Sequence, residues 1–361
     1  MEPTRATLNV VTDALLTLSA SGLYCPPGDF HIDPWSAVDR AVVTHAHSDH
    51  LRAGSRRYLI SSEGLAVTKV RLPADAVIQT LGYGESIDIN GVRVSLHPAG
   101  HVLGSAQVRI EHKGYVAVVS GDYKRQTDST CTPFEVVPCN HFITEATFAL
   151  PIYQWTDSHN VASEINAWRR QVNQEGKTAV LLGYALGKSQ RLLSMLDAGD
   201  GSSAGPIITH GSVENLVRAY RDSGVVLPPT CSVDEVDKKD LSNAVVIAPP
   251  SAAGTTWMNR FPDYATAQAS GWMTVRGMRR QRTVDRGFIL SDHADWPALL
   301  DTIRATGATR VGVTHGYTAV LSRHLIELGL DAYELQTRFE GDRGDADEPI
   351  NNEPIVNEAT P

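Results

Sequence analysis

Six consecutive residues, His45-Ala46-His47-Ser48-Asp49-His50, constrain this chain more than any other stretch. They hold three of its thirteen histidines and a carboxylate. They follow Arg40-Ala-Val-Val-Thr44, whose apolar and β-branched residues read as a buried strand. In extended backbone, side chains two apart point the same way, so His45 and His47 can hold one cation from one side. Asp49 and His50 then face a second. Imidazole and carboxylate without thiolate suit Zn²⁺, Mn²⁺ or Fe²⁺ at a hydrolytic centre. The competing reading is a chance cluster of surface histidines with adventitious metal binding.

Other residues fall into place around this stretch. Several apolar runs end in a potential ligand: Phe30-His-Ile before Asp33, Val92-Arg-Val-Ser-Leu96 before His101, Tyr115 to Ser120 before Asp122, and His141-Phe-Ile-Thr before Glu145. Catalytic groups commonly sit where a rigid sheet hands over to a loop. Asp122 is the candidate to bridge two cations, and His101 to complete the first. From about Pro151 the texture changes to alternating strands and helices, with helices expected over 161–175, 189–196 and 213–222 and strands over 178–182, 206–210 and 244–248. That alternation predicts a parallel sheet with helices on its faces. A later strand ends at Ser291-Asp-His-Ala294. Helix 296–306, strand 310–314 running into His315, and helix 319–328 close the sequence of elements.

A chain of 361 residues is long enough for two domains. No apolar run approaches the ~20 residues that span a bilayer, so no membrane partner is expected. The N-terminus lacks a secretory pattern. The cysteines, Cys25, Cys131, Cys139 and Cys231, form no C-x-x-C pair, which favours reduced thiols and a cytoplasmic setting. The net charge of −9 argues against a generally basic surface. Residues 340–361 carry seven acidic residues against Arg343 alone; without them 34 acidic face 31 basic residues, so charge excludes little. That tail has little to bury and is expected to be disordered.

The H-x-H-x-D-H hexapeptide, Asp33, His101, Asp122 and a late histidine resemble the metallo-β-lactamase fold. Asp122 and His315 are 193 residues apart with the β/α block between them, which resembles the β-CASP nucleases, where a second domain interrupts that fold. Their three further motifs match at Glu145 in Thr144-Glu-Ala-Thr-Phe148, His293 in Ser291-Asp-His-Ala-Asp295 and His315 in Val313-Thr-His-Gly-Tyr317. Gly22 to Trp35, Pro98 to Gln107 and Val284 to Trp296 are similar to the bacterial ligase-associated DNA exonucleases. The resemblance implies an α/β fold, an αββα metallo-β-lactamase sandwich with an inserted α/β β-CASP domain. Its parts would be residues 1–150, an insertion over 151–285, and a return over 286–339.

It also implies a ligand set. His45, His47, His101 and Asp122 would bind one divalent metal, Zn or Mn; Asp49, His50, His315 and Asp122 would bind the other. Asp33 would orient a ligand imidazole from behind. Asp49, Asp122, Glu145 and His293 would carry the chemistry, with His293 a general acid oriented by Glu145. Ala185-Leu-Gly-Lys-Ser-Gln190 opens a helix, where Lys188 and Ser189 would meet a substrate phosphate; it lacks the P-loop spacing for ATP. Arg276, Arg279 and Arg280, with Trp272 nearby, would track a nucleic-acid backbone. The implied function is metal-dependent DNA exonuclease action in repair, associated with a DNA ligase and helicase. The histidine at the last motif, common in RNA-processing relatives, keeps RNA as the alternative. A small-molecule ester or lactone hydrolase would have no use for Glu145, His293 and the inserted block. A silent scaffold would be expected to lack ligands that are all present here.

Overall fold

The computed structural model describes residues 15–197, 205–275 and 284–335. Arg276, Arg279 and Arg280 and the acidic tail lie outside them. Three sheets organise the chain. The first runs in sequence order through β1 (Thr17–Ser19), β2 (Gly22–Cys25), β3 (Phe30–Ile32), β4 (Arg40–Val42), β5 (Arg57–Ser61) and β6 (Ile78–Leu81). The second has the order β18-β17-β11-β10-β9-β8-β7, from β7 (Ser86–Ile89), β8 (Val92–Pro98), β9 (Ala106–His112), β10 (Tyr115–Val119), β11 (His141–Ala146), β17 (Arg310–Gly316) and β18 (Asp331–Glu334).

Strand alternation shows why β4 reads as a continuous apolar run. Val42 points into the core between the first two sheets, beside Leu59, Leu96, Val108 and Ile143. Ala41 and Val43 point the other way, into a core shared with helices. Both faces are covered, so no polar alternation survives. The second sheet buries its outer face, through Phe142, Val311 and Val313, under α5 (Trp296–Thr306) and α6 (Thr318–Glu327). The layers are therefore helix, sheet, sheet, helix.

The third sheet is parallel, in the order β13-β14-β12-β15-β16, and comes entirely from residues between β11 and β17. Its strands are β12 (Thr178–Leu182), β13 (Ile207–Thr209), β14 (Val245–Ala248), β15 (Tyr264–Ala269) and β16 (Arg286–Phe288). One face buries Ala179 and Leu181 against α2 (Ser158–Gln174), α3 (Lys188–Met195) and α4 (Gly211–Asp222). The same cluster includes Ala41, Tyr58 and Ile60 of the first sheet, so the third sheet's helices pack directly on the layers that carry the hexapeptide. The expected boundary at 285 falls just before β16. β16 pairs with β15, and Phe288 packs edge-on against Trp168 with ring centroids 5.9 Å apart. The chain leaves this sheet only after an apolar anchor, whereas the arginine run before it suggested an earlier exit. No described helix is long and apolar enough to cross a membrane, and all four cysteines are free thiols.

His141 illustrates a cost of this packing. It starts β11 in the middle of the second sheet, with Nε2 2.9 Å from the Tyr333 hydroxyl. Burial, then the Arg310 guanidinium, pushes its pKa from 6.5 down to about 4. The unfolded chain therefore binds a proton that the folded chain refuses between those values. Stability is lost as pH falls through that window, by about 2 kcal/mol at pH 5 from this group. Urea unfolding at pH 7 and pH 5 should show His141→Gln losing less stability than the parent by about that amount. Equal losses would contradict it.

Candidate metal centre

The site begins with Asp33, which follows β3 at φ +45. Its Oδ1 accepts from the Thr44 amide at 2.8 Å, and its Oδ2 accepts from the Thr44 hydroxyl at 2.6 Å and from His50 Nδ1 at 2.7 Å. With the Thr44 proton spent on Asp33, Thr44 Oγ1 accepts from His45 Nδ1 at 3.1 Å. One carboxylate thus fixes the tautomers of two histidines, leaving Nε2 of each bare. His47 donates Nε2 to the Leu186 carbonyl at 3.2 Å, and His101 donates Nδ1 to the Asp292 carbonyl at 2.7 Å.

These four donations force an electrostatic conclusion. His45 Nε2 and His101 Nε2 lie 3.0 and 3.1 Å from His47 Nδ1, and none of the three retains a proton to share. Three lone pairs face one another at hydrogen-bond distance, an arrangement that a cation turns from repulsive to attractive. Asp122 Oδ2 stands 3.6 Å from His45 Nε2 and 3.9 Å from His101 Nε2 as the fourth donor. Burial, reinforced by the neighbouring imidazoles, holds His45 and His101 well below the usual histidine pKa, so they stay neutral and able to ligate.

A second group shares Asp122. His50 Nε2 lies 3.4 Å from Asp122 Oδ2, and His315 Nδ1 lies 3.5 Å from Asp122 Oδ1. Both His50 Nε2 and Asp122 Oδ1 are buried without a hydrogen-bond partner. Burial pulls His50 down, but Asp49, Asp122 and Asp33 outweigh it and hold its pKa well above the usual value. The pocket demands positive charge there, from a proton or a metal. Asp122 is likewise held ionised against burial, chiefly by the charge of His50 and by the His315 ring beside its Oδ1. The donor set, imidazoles and carboxylates without sulfur, fits a pair of divalent cations.

His45, His47, His101 and Asp122 converge within 4.8 Å, as do His50, Asp122 and His315. Asp122, Glu145 and His293 form a third group on the same criterion. Asp49 stands apart from all three: its carboxylate is one-third exposed, with Oδ2 3.6 Å from His50 Nε2. Glu145 is fully buried; Oε1 accepts from the Tyr123 amide at 2.7 Å and Oε2 meets His293 Nδ1 at 2.8 Å. His293 faces His101 with ring centroids 4.7 Å apart, and Trp155 Nε1 donates to its carbonyl at 2.8 Å. Phe148 packs on Trp155, Trp272 and His293, so an aromatic wall flanks the centre.

Lys188 and Ser189 are placed differently from the expectation of a phosphate contact. Lys188 Nζ is buried, 2.8 Å from both Asp292 Oδ2 and the Leu290 carbonyl. Burial brings its pKa down to about 8. The Ser189 hydroxyl donates to backbone, 2.8 Å from the Tyr184 carbonyl. Both side chains are consumed inside the fold. Sequence reasoning missed Thr44, although it directly precedes the hexapeptide. It also missed the carbonyls of Leu186 and Asp292, which carry no signal in side-chain identity.

Gly121 makes the approach of Asp122 feasible. It has φ +56, and an added Cβ would stand 2.6 Å from Thr44 Cβ and 2.7 Å from Thr44 Oγ1. Gly121→Ala should destabilise the fold by about 2–4 kcal/mol, from backbone strain plus overlap. It should weaken metal binding too, because Thr44 holds Asp33 and His45 in place. Urea unfolding and metal titration read the two effects, and a variant as stable as the parent would refute the packing argument.

The layered sandwich, the interposed third sheet and a histidine-rich centre sharing one aspartate define a class of architecture, the metallo-β-lactamase fold with an inserted β-CASP domain. Comparison with known proteins agrees, although no family model matches the chain. The chain is 32% identical over 316 residues to a probable DNA ligase of Opitutus terrae, covering 87% of this chain and 30% of that protein. It is 31% identical over 189 residues to the cleavage and polyadenylation specificity factor 73 of Drosophila melanogaster, covering 46% of this chain and 27% of that one. Endoribonuclease YSH1 of Saccharomyces cerevisiae is 28% identical over 165 residues, 45% of this chain and 20% of the enzyme. The chain thus spans less than a third of the length of these relatives. A solved structure of a protein of unknown function from Enterococcus faecalis V583 shares the fold, with a TM-score of 0.53 at 10% identity over 82% of this chain and 79% of that one.

Proposed function

We propose that the chain is a two-metal phosphodiesterase of nucleic acids, acting on DNA from strand ends, with a role in repair. The observation that carries this reading is the pair of ligand groups sharing Asp122, with the His293–Glu145 pair at their edge. Held by His45, His47, His101, His50 and His315 with Asp122 between them, two divalent cations would lower the pKa of a water and stabilise charge on the phosphoryl oxygens. The protein's own residues do the rest. Asp33 and Thr44 hold His45 and His50 in ligating tautomers, and Glu145 orients His293 to protonate the departing oxygen. The half-buried rings of Trp155, Trp272 and Tyr317 offer faces on which bases can stack. DNA is favoured over RNA because the match covering most of the chain is to a protein named as a DNA ligase. Shorter matches to an endoribonuclease and to a cleavage and polyadenylation factor make RNA the second reading.

The test is digestion of matched end-labelled single-stranded DNA and RNA, with and without Zn²⁺ or Mn²⁺, beside a closed circular DNA. Stepwise, metal-dependent shortening of DNA supports the proposal and gives its direction. Cleavage of RNA alone moves the protein to the processing branch. Efficient cutting of the circle refutes action from ends. No cleavage by metal-loaded protein overturns the nuclease reading.

A further inference from the structure

The two histidine tautomers not fixed by Asp33 and Thr44 depend on the third sheet's side of the molecule. The carbonyl that accepts from His47 belongs to Leu186, two residues before α3. The carbonyl that accepts from His101 belongs to Asp292, and α3 clamps that segment. Lys188 Nζ donates to the Leu290 carbonyl at 2.8 Å and pairs with Asp292 Oδ2 at 2.8 Å. Arg191 Nη1 donates to the Ser291 carbonyl at 2.6 Å and to Asp292 Oδ1 at 3.0 Å. Each is at most 3% exposed. Lys124, two residues after Asp122, closes the network: it pairs with Asp128 and stands 3.8 Å from Asp292 Oδ1.

Backbone packing supports the same seat. Gly187, at φ +87, opens α3 so close to the His101 loop that a Cβ would lie 2.3 Å from Val102 Cγ1. The Leu103 amide donates to the Tyr220 hydroxyl of α4 at 3.1 Å. Four residues of one helix and its approach, Leu186, Gly187, Lys188 and Arg191, therefore bear on the loop segments that carry or orient His47 and His101.

We propose that α3 is an outer shell of the first metal group: Leu186, Lys188 and Arg191 are positioning residues that couple metal affinity at His45, His47 and His101 to the seating of the third sheet's helices. The coupling is reciprocal, so metal binding tightens that seat. It rests on the two-metal reading of the same site. His50 is oriented by Asp33 instead, so the second group should be insensitive to this network.

Zn²⁺ competition against a chromophoric chelator tests it on the full chain. Arg191→Met and Asp292→Asn should each weaken one of two zinc sites on the order of 10- to 100-fold and leave the other unchanged, the size expected for loss of an orienting partner. Phe261→Leu, in the core on the far face of the third sheet, is the control for general destabilisation and should leave both affinities unchanged. Folded Arg191→Met with both affinities at the parent's value would overturn the proposal, as would equal weakening of both sites in all three variants. If the network variants do not fold, hydrogen exchange on the parent decides. Zinc should slow exchange over residues 184–195, and unchanged exchange refutes the coupling. A parent that binds no zinc would instead bring down the two-metal reading itself.

Discussion

Asp122→Ala should abolish nucleolytic activity, lowering kcat by about 10³-fold or more, and should remove the stabilisation that metal gives the fold. The size follows from the position of the carboxylate. Oδ2 faces His45, His50 and His101 at 3.4–3.9 Å, and Oδ1 faces His315 at 3.5 Å. It is shared by both ligand groups among the described residues, so its loss would weaken both sites at once. Removing a single preorganised charge-stabilising donor already costs about 10²–10³ in rate, and here the charge that holds two such stabilisers goes. The metal readout is independent of turnover. A ligand present at 100 times its Kd stabilises the fold by about 2.7 kcal/mol per site, because it binds only the native state. The parent should show that rise on adding Zn²⁺, and Asp122→Ala should not. Asp122→Asn keeps the shape and isolates the charge; it should behave like the alanine variant. An asparagine variant with a tenth or more of the parent's activity would sink the bridging role.

Much of this was legible in the sequence, for reasons that particular residues make clear. The hexapeptide is contiguous, follows a strand whose two faces are both buried, and uses a residue type that is rare elsewhere in the chain, so little competes with its signal. His101, Asp122 and Glu145 stand out because the strands before them end abruptly, and the structure brings them together around Asp122. The third sheet was visible because α2, α3 and α4 alternate with apolar strands. What stayed hidden is whatever depends on backbone or on cross-sheet register. The β7–β8 hairpin was overlooked although Asn90-Gly91, at φ +53 and +80, is a strong two-residue turn signal. The contacts of Lys188 and Ser189 inside the fold are hidden too, because a helix start with a lysine and a serine looks the same whether it faces solvent or a buried Asp292. Only tertiary contacts separate those cases. The carbonyls of Leu186 and Asp292 could not have been found at all, since every residue has one.

The second large effect belongs to the Glu145–His293 pair, which on the proposed reading holds a proton and not a metal. His293→Ala and Glu145→Gln should lower kcat by about 10²–10⁴-fold, the usual contribution of a positioned general acid, with both metals still bound. Glu145 sits at the end of β11 with one oxygen on the Tyr123 amide and the other on His293 Nδ1, so its orientation is fixed from two sides. With Nδ1 on Glu145, Nε2 is the ring nitrogen that would carry the transferred proton, and the ring lies beside His101 and close to Asp122. A proton held there can be handed to the oxygen leaving phosphorus. The alternative, that the trio of Asp122, Glu145 and His293 is itself a metal site, predicts a change in metal stoichiometry instead. Leaving-group dependence separates the roles further. A p-nitrophenyl phosphodiester expels an oxygen that needs no acid, so the His293→Ala defect should nearly vanish on it while persisting on DNA. Asp122→Ala should be equally damaged on both substrates. If His293→Ala is as defective on the activated ester as on DNA, with both metals in place, then the histidine binds or positions and does not donate, and the Glu145 contact serves placement alone.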